Sequence, residues 1–150
     1  MKQVSFWASS PSAVPLSRAR ILLADDHPCF PDLEELLLEP EFEVVAKVGN
    51  GRALIEAATR LKPDVIVTDI SMPILNGIDA VDQLKESGCP SKIVFLSVHF
   101  DPDFIYRCLV TGARGYVVKS RMSTELLPAI REALAGNIFV SSRLANENSR

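Results

Sequence analysis

From Arg20 onward, short runs rich in β-branched residues alternate with longer amphipathic stretches, and no other feature restricts the fold as tightly. Strands separated by helix-length segments cannot pair as hairpins; crossovers join them into a parallel sheet with helices on its faces. The strand candidates are Ile21 to Ala24, Glu43 to Val48, Val65 to Asp69, Lys92 to Ser97 and Gly115 to Val118. Several are apolar at successive positions, as strands covered on both faces are. The helix candidates run from about Asp32 to Leu38, Arg52 to Leu61, Gly77 to Glu86, Pro102 to Thr111 and Thr124 to Ala135, with Gly136 as the stop of the last. Leu54, Ile55, Ala58 and Leu61 share one face of the second helix, and Leu126, Leu127, Ile130 and Leu134 one face of the last. If Ser123 is the N-cap of that last helix, Pro128 falls past its first turn, so the helix begins later or kinks.

Five such units with right-handed crossovers give an α/β fold: a three-layer doubly wound (βα)5 parallel sheet, for which 2-1-3-4-5 is a common strand order. Strands one and three are then neighbours, and a ligand site is expected at their carboxyl ends. A length of 150 residues suits one domain. Residues 1–19 carry several Ser and Pro and no periodic apolar face; they read as a flexible leader to a domain over 20–140, followed by a linker from 141 to 150.

With 16 Lys and Arg against 19 Asp and Glu, the net charge of -3 gives no basic excess for phosphate contacts, so this chain is not expected to bind DNA. Neither a membrane span nor a signal-peptide core is present, and a cytoplasmic location is expected. Cys29, Cys89 and Cys108 are too widely spaced for a zinc site and read as reduced thiols.

Asp25 and Asp26 follow the first strand and Asp69 closes the third, so the topology brings three carboxylates to one sheet edge. Two unit charges about 4 Å apart repel by about 4 kcal/mol at an effective dielectric near 20, which calls for a cation. All-oxygen ligation with room for water suits Mg²⁺, or Mn²⁺ as a substitute, better than zinc. Ser97 closes the fourth strand with a hydroxyl, and Lys119 follows the fifth with an ammonium. Metal, hydroxyl and ammonium together make a receptor for a phosphoryl group, and Asp69, between the acidic pair and the Ser97 and Lys119 side, is the nucleophile candidate. His27 and His99, isolated histidines beside turns, are read as hydrogen-bonded structural groups and given no ligand role.

Leu23-Ala24-Asp25-Asp26-His27-Pro28, Val67-Thr68-Asp69-Ile70-Ser71-Met72-Pro73, Asn76-Gly77, Phe95-Leu96-Ser97 and the run Gly112 to Ser120 together resemble the receiver domain of two-component response regulators. The resemblance covers about Arg20 to Val140 and implies a flavodoxin-like, CheY-like fold. Asp25-Asp26-His27-Pro28, Lys119-Ser120 and the segment Ala135 to Ser141 resemble the NarL/FixJ-type subfamily, whose receivers precede a LuxR-type helix-turn-helix. The resemblance implies that Asp69 accepts a phosphoryl group from a sensor histidine kinase. It also implies that Asp26, Asp69 and the Ser71 backbone carbonyl bind Mg²⁺, with Asp25 acting through water. Ser97 and Lys119 would bind the phosphoryl oxygens, and Tyr116 would be the aromatic that changes rotamer when Ser97 moves. One departure is Pro31, unusual where the first helix should begin, which makes a late start for that helix an expectation.

Two rival functions fit the residues less well. A phosphatase of the haloacid-dehalogenase kind needs a second Asp two places after the nucleophile, and Ser71 stands there. A receiver-like module that is never phosphorylated usually lacks an acid or the lysine, and all are present. The ten residues after Val140 cannot form a helix-turn-helix, so the expectation is a fragment of a longer transcriptional regulator, or else a stand-alone receiver. Its output would be a phosphorylation-dependent homodimer that brings absent DNA-binding domains together.

Overall fold

The computed structural model describes residues 18–27 and 33–142. Alternate residues of its strands go to opposite faces of one parallel sheet. The strands are β1 (Arg20–Ala24), β2 (Glu43–Val48), β3 (Val65–Asp69), β4 (Lys92–Ser97), β5 (Gly115–Val118) and β6 (Phe139–Val140), in the order β2-β1-β3-β4-β5-β6. The expected order 2-1-3-4-5 is present, with a sixth strand added at the β5 edge. β6 pairs Phe139 with Gly115 and Val140 with Tyr116, and two residues are too few to carry a periodic signal in sequence.

The crossovers contain α1 (Leu33–Leu38), α2 (Gly51–Leu61), α3 (Gly77–Glu86), α4 (Pro102–Val110) and α5 (Met122–Leu134). Leu22, Ala24, Ile66, Ile93, Phe95 and Tyr116 point to one face and pack on α2, α3 and α4 through Leu54, Ala58, Val81, Leu84 and Cys108. Ile21, Leu23, Val67, Leu96 and Val117 point to the other and pack on α1 and α5 through Leu38, Leu126, Ala129 and Ile130. Both faces of the central strands are therefore dry, which accounts for their unbroken apolar sequence.

Side-chain caps fix two helix starts. Asn50 Oδ1 accepts from the Ala53 N–H at 2.8 Å, and Asn76 Oδ1 from the Asp79 N–H at 2.9 Å. The last helix departs from expectation: a 3₁₀ turn over Lys119–Arg121 leads into α5 at Met122, so the helix begins earlier, not later, and Ser123 lies inside it. Pro128 is carried within the helix, where the lost hydrogen bond is accepted in exchange for burying Leu126, Ala129, Ile130 and Ala133. Pro31 and most of the expected leader lie outside the described residues. Arg18, at the leader's end, donates to the Glu39 carbonyl at 2.8 Å.

The loop from β3 to α3 folds tightly back on the strand end. The Gly77 N–H donates to the Ile70 carbonyl at 2.7 Å, and a methyl at Gly77 would run into the Asp69 carbonyl oxygen. In the same loop Ile74 adopts φ 72°, a left-handed conformation that opposes a β-branched residue, while its side chain is 78% exposed. Ile74→Gly is therefore expected to stabilise the chain by about 1 kcal/mol, and Gly77→Ala to destabilise it by about 2 kcal/mol or more, as measured by urea denaturation.

Candidate functional site

The strand register decides which side chains meet. Ala24 pairs with Thr68, Asp69 with Leu96, and Ser97 with Val118, so Asp25, Asp26 and Lys119 emerge one step beyond the ladder, level with Asp69 and Ser97. Asp26, Asp69, Ser71, Ser97 and Lys119 line one cleft of about 220 Å³, and His27 completes its wall. The expected residues are thus brought together at the carboxyl edge of β1, β3, β4 and β5.

Asp69 is 3% exposed. Its Oδ1 is held by the ammonium of Lys119 at 2.8 Å, while its buried Oδ2 has no hydrogen-bond partner. Buried carboxylates are costly unless both oxygens are satisfied, so this one is aimed at something the cleft must supply. Burial pushes the Asp69 carboxyl well above the usual carboxylate range; Lys119 opposes that displacement and the charge of Asp25 adds to it. Asp25 moves the other way. Burial disfavours its charge, but hydrogen bonds from Glu34 and from the backbone and ring of His27 outweigh it and hold the carboxyl well below its ordinary value. Burial would also strip the proton from Lys119, and the attraction of Asp69 and Asp25 more than compensates, so the ammonium is retained.

Two groups here were not anticipated. Glu34, 5% exposed on α1, faces the Asp25 side chain and helps to hold its carboxyl down. Its signal in sequence was phase: Glu34 stands four residues before buried Leu38, whereas Glu35 does not. His27, given no ligand role from sequence, has its Nδ1 2.9 Å from Asp25 Oδ1, 3.3 Å from Asp26 Oδ1 and 3.5 Å from Asp69 Oδ2.

His99 matches its structural reading. Its N–H donates to Ser97 Oγ at 3.0 Å, its carbonyl accepts from Tyr116 Oη at 2.8 Å, and its ring stacks on Phe104. Tyr116 is fully buried, so a single backbone residue ties the hydroxyl of Ser97 to the phenol of Tyr116.

Donor atoms of Asp25, Asp26, His27 and Asp69 lie within 4.8 Å of one another. Three carboxylates with an unsatisfied buried member fit a hard divalent cation such as Mg²⁺, which takes oxygen ligands and tolerates an open, water-completed shell.

The sequence model of the response regulator receiver domain matches residues 21–131. The chain belongs to that family. This receiver domain is 37% identical over 128 residues to the nitrate/nitrite response regulator protein NarL of Escherichia coli strain K12, across 84% of this chain and 59% of that protein. It is 33% identical over 132 residues to the transcriptional regulatory protein DegU of Brevibacillus brevis, across 87% of this chain and 56% of that protein. Among solved structures it resembles a LuxR-family two-component response regulator from Aurantimonas sp. SI85-9A1, with a TM-score of 0.80, 32% identity, and coverage of 89% and 96% of the two chains. The signal receiver domain of the putative response regulator NarL from Mycobacterium tuberculosis aligns with a TM-score of 0.75 and 27% identity, across 80% of this chain and 98% of that one. The receiver is therefore of the NarL/LuxR type. It spans about three fifths of the length of the curated relatives it matches.

The displaced Asp69 carboxyl has a sign that can be measured. A folded-state value raised above the unfolded one contributes stability that is complete below the unfolded value and is lost as pH rises through the folded value. Without divalent cations, wild type is expected to lose more stability than Asp69→Asn between pH 5 and pH 8, by more than about 1 kcal/mol, since one pKa unit corresponds to about 1.4 kcal/mol. Urea denaturation of both proteins at the two pH values checks it; equal losses would mean that Asp69 is not held against its charge.

Proposed function

We propose that Asp69 accepts a phosphoryl group from a sensor histidine kinase in a Mg²⁺-dependent reaction and that the receiver then changes conformation to control an output. The observation that carries this reading is the Asp69 carboxylate: buried, open to the cleft, paired with Lys119 through Oδ1 and left without a hydrogen bond at Oδ2.

Asp25, Asp26, Asp69 and the Ser71 backbone carbonyl would hold Mg²⁺, or Mn²⁺ in its place. When bound, the cation supplies positive charge to the phosphoryl oxygens. An Asp69 carboxylate oxygen bonds to phosphorus as the bond from phosphorus to the kinase's histidine nitrogen breaks, and the departing imidazole keeps the electron pair and takes up a proton. Lys119 and Ser97 bind the phosphoryl oxygens, the ammonium as a point charge and the hydroxyl as a donor. Drawing Ser97 toward the new oxygens pulls on the His99 N–H, and His99 holds the Tyr116 phenol through its carbonyl. Phosphorylation thereby biases the packing of β4, α4 and β5, which makes the domain a signalling switch and not a turnover enzyme.

The output in this reading is transcription, through a LuxR-type helix-turn-helix and a homodimer formed on phosphorylation; the transcriptional part is supported by the name of the transcriptional regulatory protein DegU and by the LuxR family of the structural neighbour. The signalling domain is assigned to residues 20–140. A cytoplasmic location is part of the same reading, and among the described residues no helix is long and apolar enough to cross a membrane.

Incubation with acetyl phosphate and Mg²⁺ is expected to add one phosphoryl group, read by intact mass and removed by hydroxylamine, with none on Asp69→Asn. Lys119→Ala is expected to accept the group while losing the hydrogen-exchange changes over β4 to β5. An unmodified mass in wild type, or equal labelling of Asp69→Asn, would refute the assignment. Asp26→Ala is expected to weaken Mg²⁺ binding by about tenfold or more in a calorimetric titration while leaving the fold intact by circular dichroism; unchanged affinity would mean that Asp26 is not a ligand.

A further inference from the structure

The phosphotransfer reading uses the carboxylates and Lys119 and leaves His27 without a task, although its Nδ1 faces all three carboxylates. Donor atoms bound to one cation at about 2.1 Å stand about 3.0 Å apart along an octahedral edge and about 4.2 Å apart across the centre. The Nδ1 to oxygen separations of 2.9, 3.3 and 3.5 Å are of the size of such edges. One donor atom from each of Asp25, Asp26, His27 and Asp69 lies within 4.8 Å of the other three, so the nitrogen belongs to the same cluster of donors as the oxygens and not to a layer behind it. Beside this geometry, the Asp69 carboxylate is 3% exposed and its Oδ2 has no hydrogen-bond partner, which points to a ligand at this place.

We propose that His27 is a fourth protein ligand of the divalent cation held by Asp25, Asp26 and Asp69, and that its imidazole biases the site toward Co²⁺ or Ni²⁺ relative to Mg²⁺. The inference rests on the carboxylates holding a cation at all. Imidazole nitrogen suits the later first-row ions, whereas Mg²⁺ keeps to oxygen ligands and its own water. The arrangement is also preset: the His27 N–H donates to Asp25 Oδ1 at 2.8 Å, which fixes the residue beside the acid whose oxygen its ring also touches. The side chain is 56% exposed, so removing the ring leaves no hole in the core.

Calorimetric titration of wild type, His27→Ala and His99→Ala with Mg²⁺ and with Co²⁺, joined to visible spectra of the Co²⁺ forms, separates the possibilities. His27→Ala is expected to bind Co²⁺ at least about tenfold more weakly than wild type and to lose the absorption bands of a nitrogen-ligated ion. Its Mg²⁺ affinity should stay within about twofold. His99→Ala, which alters the other histidine, should match wild type throughout. Equal Co²⁺ affinity and identical spectra in wild type and His27→Ala would overturn the proposal while leaving the carboxylate site standing. Tighter binding of both cations by His27→Ala would overturn it too, since the ring would then be competing with the metal. No binding of either cation by wild type would overturn both this ligand assignment and the carboxylate reading beneath it.

Discussion

Everything at the carboxyl edge of this sheet answers to one unfavourable fact: the carboxylate of Asp69 is held out of water beside other acids, with the Lys119 ammonium against one oxygen and the His27 ring 3.5 Å from the other. Left to itself such a group takes a proton, and the upward displacement of Asp69 opposite the downward displacement of Asp25 is that tendency expressed in a pair. In the proposed reading a proton, a cation or a covalently bound phosphoryl group coordinated by cations would each relieve the same imbalance. A site that can relieve one constraint in several ways is suited to switching, because a chemical change at Asp69 redistributes the electrostatic imbalance around it.

The fold makes this possible by rigidity. β3 is buried at every position, and its last residue is pinned from both sides: Thr68 Oγ1 donates to the Asp69 carbonyl at 2.9 Å, and Gly77 closes against that same carbonyl. An exposed aspartate on a loop would swing away from Asp25 and into water. Here the backbone cannot follow the charge, so the burden passes to the neighbours: Lys119 at the end of β5, His27 in the β1 loop, and Glu34 reaching in from α1.

Much of this was legible in the sequence because the dominant signals are local. Parallel strands buried on both faces must be apolar throughout, so β1, β3 and β4 announced themselves, and residues that follow such strands must gather at one edge; Asp25, Asp26, Asp69, Ser97 and Lys119 did. What escaped depended on long-range geometry or on competition between local rules. β6 is defined by its hydrogen bonds to β5, not by any pattern of its own. The start of α5 was misjudged because Pro128 argued against an interior position, while the buried stripe of Leu126, Ala129, Ile130 and Ala133 outweighed it. In sequence Glu34 is an ordinary acid in a helix's first turn, and only the direction of α1 relative to β1 turns it toward Asp25.

The two histidines show how the same residue type, placed alike just after a strand, acquires different physical roles. His99 lies two residues beyond Ser97, and what connects Ser97 to Tyr116 is its backbone: one peptide group receives the phenol and another donates to the hydroxyl, while the ring is occupied in stacking on Phe104. Any side chain tolerated at that place would leave the relay in existence. His27 follows the acid pair directly, and there the ring nitrogen makes the contacts, reaching Asp25, Asp26 and Asp69 at once. Substitution at 99 therefore tests packing, whereas substitution at 27 changes the donor set around the charge that governs the domain. Sequence neighbours could not distinguish these cases, because the difference lies in which atoms of the residue face the cleft.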